Sequence, residues 1–388
     1  MALLTSATSK ASVYNDANAG TFTQAQLDSI MNAALDYFIK GQPLENERQA
    51  RPLYDAMRSK SEVYPGGNTS IRRNVKGKPE HTMQGYAYTD TVSYGNRGNV
   101  DQAQFDWKEL HDGLSVTFTE LKQDGITVTD SANGASTSNH SKADVTRIHS
   151  LLKDKLNDMM EGYEAAFNAM LWDDGTQDST LVPGIQSVIT DIPASGDFSE
   201  TVGGITTSRT GATEVRTWWR NRANVLVGAV DGRVDVTGAT IDSPLMTAVR
   251  NEMRQLRRYG KGPDMVLCGS EFMETLEAEL FAKGILTQQG FANGTATNFD
   301  MSEPKFGKLK FEYDPSLDDL GTSGDKDFLK RAYFIDTSRI KLYDMDGEVD
   351  RIHHPARPHD QYALYRAITY TGALCCWQRN TSMVMEFK

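Results

Sequence analysis

The sequence predicts an α+β fold, and three observations predict it. A single apolar stripe runs the length of a helix over 141–172. A Gly-rich polar segment with strand periodicity precedes it, over 65–138. A strand–helix–strand–helix unit and a run of strands follow it. The 388 residues suffice for two or three compact units of roughly 100–200 residues each. Hydrophobic residues make up 39% and charged residues 24%, so a packed core is expected and wholesale disorder is not.

Residues 1–20 are small and polar and read as a loosely held arm. Thr23 is placed to cap a helix in which Leu27, Ile30, Met31, Ala34, Leu35 and Phe38 recur at helical spacing, and Gly41 closes it. Pro52 fits the first turn of a short second helix. In 65–138, Tyr86, Tyr88, Val92 and Tyr94 share one parity, as do Val116 with Phe118 and Ile126 with Val128. These alternations predict long β-hairpins with little core of their own. A long hairpin needs a surface to lie on, from its parent domain or from a neighbouring subunit.

The 141–172 helix opens with Ser141 and Asp144 in a capping-box-like pair. Val145, Ile148, Leu152, Leu156, Met159, Tyr163, Phe167 and Met170 form its stripe, and "DDG" at 173–175 stops it. Its length, roughly 48 Å at 1.5 Å per residue, suits a spine backed by a sheet rather than a bundle member. Residues 174–215 turn polar again, and "TWWRNR" follows. "NVLVGAV" and "RVDVTG" read as strands. Ser243 and Pro244 start a helix carrying Leu245, Met246, Val249, Met253 and Leu256. "DMVLCG" reads as a buried strand, and Ser270 as the cap of a helix reaching about 282. "KLKFEYD", "RAYFID", "IKLYD", "QYALYRAITYTGALCCWQ" and "TSMVMEF" read as returning strands.

The net charge of −11 argues against a general nucleic-acid binder, though not against DNA contact through one local patch. Cys268, Cys375 and Cys376 include no CxxC pair, so neither a zinc ribbon nor a thioredoxin-type site is available, and the count fits a reducing compartment. "MALLTSATSK" lacks a leader pattern, and no window approaches 18 apolar residues. These readings predict a soluble, cytoplasmically made chain.

No HExxH, GxSxG, GxxxxGK[ST] or GxGxxG occurs, so the usual handles of an enzyme are missing. Asp344, Asp346, Glu348 and Asp350 imitate half a calcium loop, but Pro355 stands where the last ligand belongs, and a solvated turn is expected. Arg250, Arg254, Arg257, Arg258 and Lys261 make one side of a helix basic. This suits a solvated face better than a phosphate or acidic-partner contact. Arg72, Arg73, Lys76 and Lys78 precede Tyr86, Tyr88 and Tyr94. Cations followed by aromatics suit single-stranded nucleic acid or a subunit-docking hairpin, and the acidic chain favours docking. His353, His354 and His359 crowd into "RIHHPARPHDQY". Neighbours on a strand diverge, and "PARP" separates the third, which disfavours a shared metal ion. The competing reading is a metal-dependent hydrolase using these histidines with Asp344 or Asp360. Neither a cofactor nor a metal is expected.

The order of these parts resembles the major capsid proteins of tailed bacteriophages, with the Hong Kong 97-type fold. In that likeness 1–64 is an N-terminal arm with short helices and 65–138 an extended hairpin, the E-loop. Residues 139–224 are a peripheral domain with spine helix 141–172, 225–345 an α/β axial domain, and 346–388 the return strands of the peripheral domain. The resemblance implies a non-enzymatic subunit that self-assembles into hexamers and pentamers, forming an icosahedral shell around a double-stranded DNA genome. It implies a virion protein assembled in the host bacterial cytoplasm, with scaffolding, portal and decoration proteins as partners and no membrane. The packaged DNA would meet the inner face without sequence-specific binding. The region before the hairpin is short and carries no long charged coiled coil, so a separate scaffolding protein, or none, is expected. Function then lies in interfaces, with Arg72, Arg73, Lys76, Lys78, Tyr86, Tyr88, Tyr94, Arg250, Arg254, Arg257, His353 and His354 as candidates. Residues 351–362 become the crossing between two domains, stiffened by Pro355 and Pro358. Another virion component, such as a tail or cement protein, fits less well, because those are mostly β-rich.

Overall fold

Proline at the first helical turn, with no amide proton to leave unsatisfied, opens α1 (Pro52–Ser59). The structure is a computed structural model describing residues 49–77, 83–91, 100–117, 119, 142–192, 198–210, 213–236, 244–282, 305–306, 309–353 and 363–388. The helix expected over 23–38, the alternation at 126–128 and the crossing at 354–362 lie outside these residues. After α1 come β1 (Glu62–Tyr64), β2 (Ser70–Lys76), β3 (Val100–Asp106), β4 (Lys108–Thr117), the long α2 (Lys142–Trp172) and one-turn α3 (Ile185–Val188). Short strands follow: β5 (Phe198–Val202), β6 (Ile205–Thr210), β7 (Thr213–Val215), β8 (Arg222–Asn224), β9 (Leu226–Val227) and β10 (Val230–Asp231). Then come α4 (Pro244–Leu256), β11 (Met265–Cys268), α5 (Ser270–Ala282), β12 (Lys305–Phe306), β13 (Leu309–Tyr313) and α6 (Pro315–Leu320). The last strands are β14 (Thr322–Ser323), β15 (Lys326–Asp327), β16 (Arg331–Ile335), β17 (Ile340–Met345), β18 (Arg351–His353), β19 (Ala363–Cys376) and β20 (Met383–Glu386).

The chain divides into two units. Of the described residues, 111–165 and 350–369 form the first, and 49–110, 166–349 and 370–388 the second. In the first, β18 pairs antiparallel with the start of β19, from Arg351 opposite Thr369 to His353 opposite Ala367. Within it, α2 buries Leu156, Met159 and Tyr163 at helical spacing, and the Tyr163 hydroxyl donates to Asp350 Oδ1 at 2.7 Å. All 31 residues of α2 are helical, about 46 Å at 1.5 Å per residue, as the stripe predicts.

The second unit holds a mixed six-stranded sheet in the order β12-β13-β11-β16-β20-β8. Period-two alternation sorts its faces. Ala332 and Phe334 of β16 join Val266, Cys268, Phe311, Met383 and Met385 against α4 and α5. Tyr333, on the opposite face of β16, packs edge-on against Trp172 at 5.2 Å. The strand–helix–strand–helix expectation thus holds, with two local corrections. Ser270 is the first residue of α5 rather than its cap, and its amide donates to Asp318 Oδ1 at 3.0 Å. "NVLVGAV" holds only the end of β8, the two-residue β9 and the first residue of its partner β10, and "RVDVTG" forms no strand over its described residues, 233–236. Gly228 turns between β9 and β10 at φ +55°, its amide held by Asp325, and the chain returns to the sheet through a single bridge from Val234 to Phe387.

A second layer in this unit sets β1 parallel to β17, and β17 antiparallel to the second half of β19. Glu62 of β1 pairs with Lys341 of β17. That bond, with help from Tyr343, holds the Glu62 carboxyl below the usual range. Cys375 and Cys376 point to opposite faces of β19, yet both are fully buried, so the end of this strand is covered on both sides.

Candidate functional site

The β2–β3 hairpin is regular over seven pairs, from Ser70 opposite Asp106 to Lys76 opposite Val100. Its root is apolar and its far end is not. Ile71 and Ala103 are buried in a cluster with Ile205, Trp219, Tyr343, Ala373, Cys375 and Trp377, flanked by Phe105, Trp107 and Trp218. The Gln104 amide donates to Gly203 O at 2.9 Å, and Arg216 pairs with Asp101, tying the hairpin's second strand to its neighbours. Further out, Arg72, Arg73 and Asn74 are exposed. The expected long hairpin is therefore supported by its own unit at the root.

A cleft of about 470 Å³ opens beside the outer half of β2, lined by Arg73, Lys76, Arg339, Trp218, Trp377 and Tyr259 among others. The Arg73 guanidinium lies 5.5 Å from the centre of the Trp377 ring, within cation–π range. The Trp377 indole donates to the Tyr343 hydroxyl at 3.0 Å, which fixes that wall. Gly77 leaves room for Trp218: a Cβ there would fall 2.5 Å from the indole. Residues 73–77, 218–219, 259, 339 and 377–380, distant in sequence, meet here.

Beyond the hairpin, Met83, Tyr86 and Tyr88 are 101%, 74% and 102% exposed. The alternation at Tyr86 and Tyr88 predicts a strand, but residues 83–91 form none. Ala87 and Asp90 instead close a turn, with the Ala87 amide on Asp90 Oδ2 at 2.8 Å and the Asp90 amide on Ala87 O at 2.9 Å. The intervening residues are exposed too, so the alternation has no face to bury. Lys78, Tyr94, His354 and His359 lie outside the described residues.

Arg250, Arg254 and Arg257 occupy the exposed side of α4 and the turn after it, while Leu245, Val249, Met253 and Leu256 are buried. The start of α4 is held by Glu279, whose buried carboxylate accepts from the Leu245 and Met246 amides at 3.0 and 2.9 Å. A helix N-terminus favours a negative charge there. In the first unit, His353 Nε2 lies 2.6 Å from Thr369 Oγ1 across the β18–β19 pair. In the second, Asp344 is buried and accepts from the Tyr370 hydroxyl at 2.5 Å, so it is not an open ligand. Among the described residues no three His, Cys, Asp or Glu side chains gather as metal ligands.

Of the sequence candidates, the structure brings Arg73 and Lys76 together with Trp218, Trp377, Tyr259 and Arg339. Tyr259 and Arg339 carry no sequence signal for the cleft, whereas the basic run at 72–78 and "TWW" at 217–219 mark two of its walls.

No family model matches the chain, and no curated protein does. Among solved structures, a chain of the cyanophage A-1(L) capsid asymmetric unit superposes with a TM-score of 0.50 over 89% of this chain and 94% of that one, at 14% identity. The capsid of a native GTA particle gives a TM-score of 0.48 over 89% and 95%, at 11% identity. The chain has a phage capsid fold. No helix among the described residues is long and apolar enough to cross a membrane.

Proposed function

We propose that this chain is the major capsid protein of a tailed phage. In this reading it self-assembles into hexamers and pentamers that form an icosahedral shell around a double-stranded DNA genome. One observation carries the reading: the likeness to the cyanophage capsid chain extends over 89% of the sequence. The β2–β3 hairpin and the residues beyond it serve as the E-loop, α2 as the spine, and 225–345 as the axial domain. The three large side chains exposed at 83–88 suit contact with an adjacent subunit, since isolated tyrosines and methionines of that exposure gain by burial. Arg72, Arg250, Arg254, Arg257 and His353 are further candidates for contacts between subunits. The protein works in the virion, without a catalytic step. Electron microscopy of the purified protein tests this: rings or closed shells are expected. A stable monomer or dimer under all conditions, with the 83–91 segment folded onto its own subunit, would overturn it.

A further inference from the structure

We infer that the cleft beside the outer half of β2 binds single-stranded nucleic acid, holding phosphates on Arg73, Lys76 and Arg339 and stacking bases on Trp218 and Tyr259. The inference does not depend on shell assembly.

The chain carries −11 overall, yet none of the residues lining this cleft is Asp or Glu. Arg73, Lys76 and Arg339 thus make a local cationic field within an acidic molecule, and a groove concentrates such a field. Trp219 and Trp377 are buried walls, but Tyr259 is 54% exposed and Trp218 half-buried, so both of these aromatic side chains keep accessible surface. A bare Gly77 keeps Trp218 in place. Arg257 and Arg258 immediately precede Tyr259, and the Arg258 guanidinium sits 5.9 Å from that ring's centre, so a strand leaving the cleft meets further cations.

Cations beside accessible aromatic side chains match the repeating phosphate and base of a single strand. An acidic peptide would use the cations and leave the rings idle. The cleft volume of about 470 Å³ lies within the range of small-ligand sites and is large enough for a nucleotide unit. The acidic bulk of the chain keeps such binding weak and salt-sensitive.

The test is a titration of fluorescein-labelled oligo(dT), about 12 nucleotides long, with the full chain, read by anisotropy over a series of salt concentrations. Saturable binding that weakens with salt is expected. Lys76→Gln and Arg339→Gln alter exposed side chains, and each should shallow the log–log salt slope by about 0.7. Trp218→Ala should weaken binding about tenfold and leave the slope unchanged. Tyr259→Ala, at an exposed position, serves the same purpose if Trp218→Ala fails to fold. Lys310→Gln, a cation outside the cleft, should change nothing. No saturable binding at the lowest salt overturns the inference. So does an equal loss with Lys310→Gln. A third overturning result is displacement by polyglutamate as effective as by unlabelled oligo(dT), with both ring variants binding like the parent.

Discussion

Arg379 is buried, and its guanidinium is surrounded by acceptors from separate stretches of chain. It donates to Val188 O at 2.8 Å, Glu200 Oε1 at 2.9 Å, Trp219 O at 3.0 Å, Thr190 Oγ1 at 2.9 Å and Asn221 Oδ1 at 2.8 Å. Removing one partner of such a pair strands the other charge in low dielectric. Arg379→Met should therefore lower unfolding free energy by about 3–5 kcal/mol in urea titrations, and adding Glu200→Gln should restore part of it. Asp314 gives a pH prediction. Burial, its main perturbation, raises its carboxyl above the usual range, while Oδ1 accepts from the Ser316 amide at 2.9 Å. As pH rises past the ordinary carboxylate value, the unfolded chain loses this proton first and the folded chain still holds it. Stability must then fall with rising pH until the folded value is passed. Asp314→Asn keeps an acceptor for Ser316 and removes the ionisation. Relative to the parent it should gain stability as pH rises through that window, as urea midpoints from about pH 4 to 8 would show. A constant difference between the two proteins at every pH would refute the assignment.

At the scale of elements, β19 illustrates how burial controls chemistry. Burial pushes the Cys375 thiol up, and that of Cys376 up to about 12; Cys268 of β11 is raised for the same reason. Inaccessible thiols so disfavoured as thiolates should not react. A disulfide-exchange reagent at about pH 8 should label none of the three in the native protein and all three after denaturation. Fast labelling of Cys375 or Cys376 in native protein would show that one face of β19 is open. This strand also shows what the sequence can and cannot disclose. "ALCC", at 373–376, carries no polar residue, which marks a stretch buried on both faces. Gly372 precedes it because the Tyr370 ring folds across that position, where a Cβ would lie 2.2 Å from the hydroxyl. Likewise the stripe from Leu156 to Met170 and the run "RAYFI" disclose α2 and β16, because one element's own periodicity records its burial. The cleft as a whole was not legible. Trp218, Tyr259, Arg339 and Trp377 carry no shared period and meet only through the sheet order. Tyr86 and Tyr88 misled for a related reason: their parity imitates a strand, but nothing in their own unit covers either face.

For the whole molecule, that exposure bears directly on assembly. Met83, Tyr86 and Tyr88 touch little of their own chain, so removing them should leave the isolated subunit's unfolding unchanged. If they anchor contacts between copies, each truncation weakens every repeated contact in a closed shell. A loss of about 1–2 kcal/mol per contact is ordinary for a buried aromatic anchor. Met83→Ser with Tyr88→Ser should therefore raise the protein concentration needed for rings or shells, while the urea midpoint of dilute protein stays within error of the parent. Light scattering against concentration, with micrographs of the same samples, measures the first quantity. Should the urea midpoint fall as well, these side chains would be docked within one subunit. Should neither quantity move, the adjacent subunit would be held elsewhere, and the exposed basic side of α4 would become the next surface to truncate.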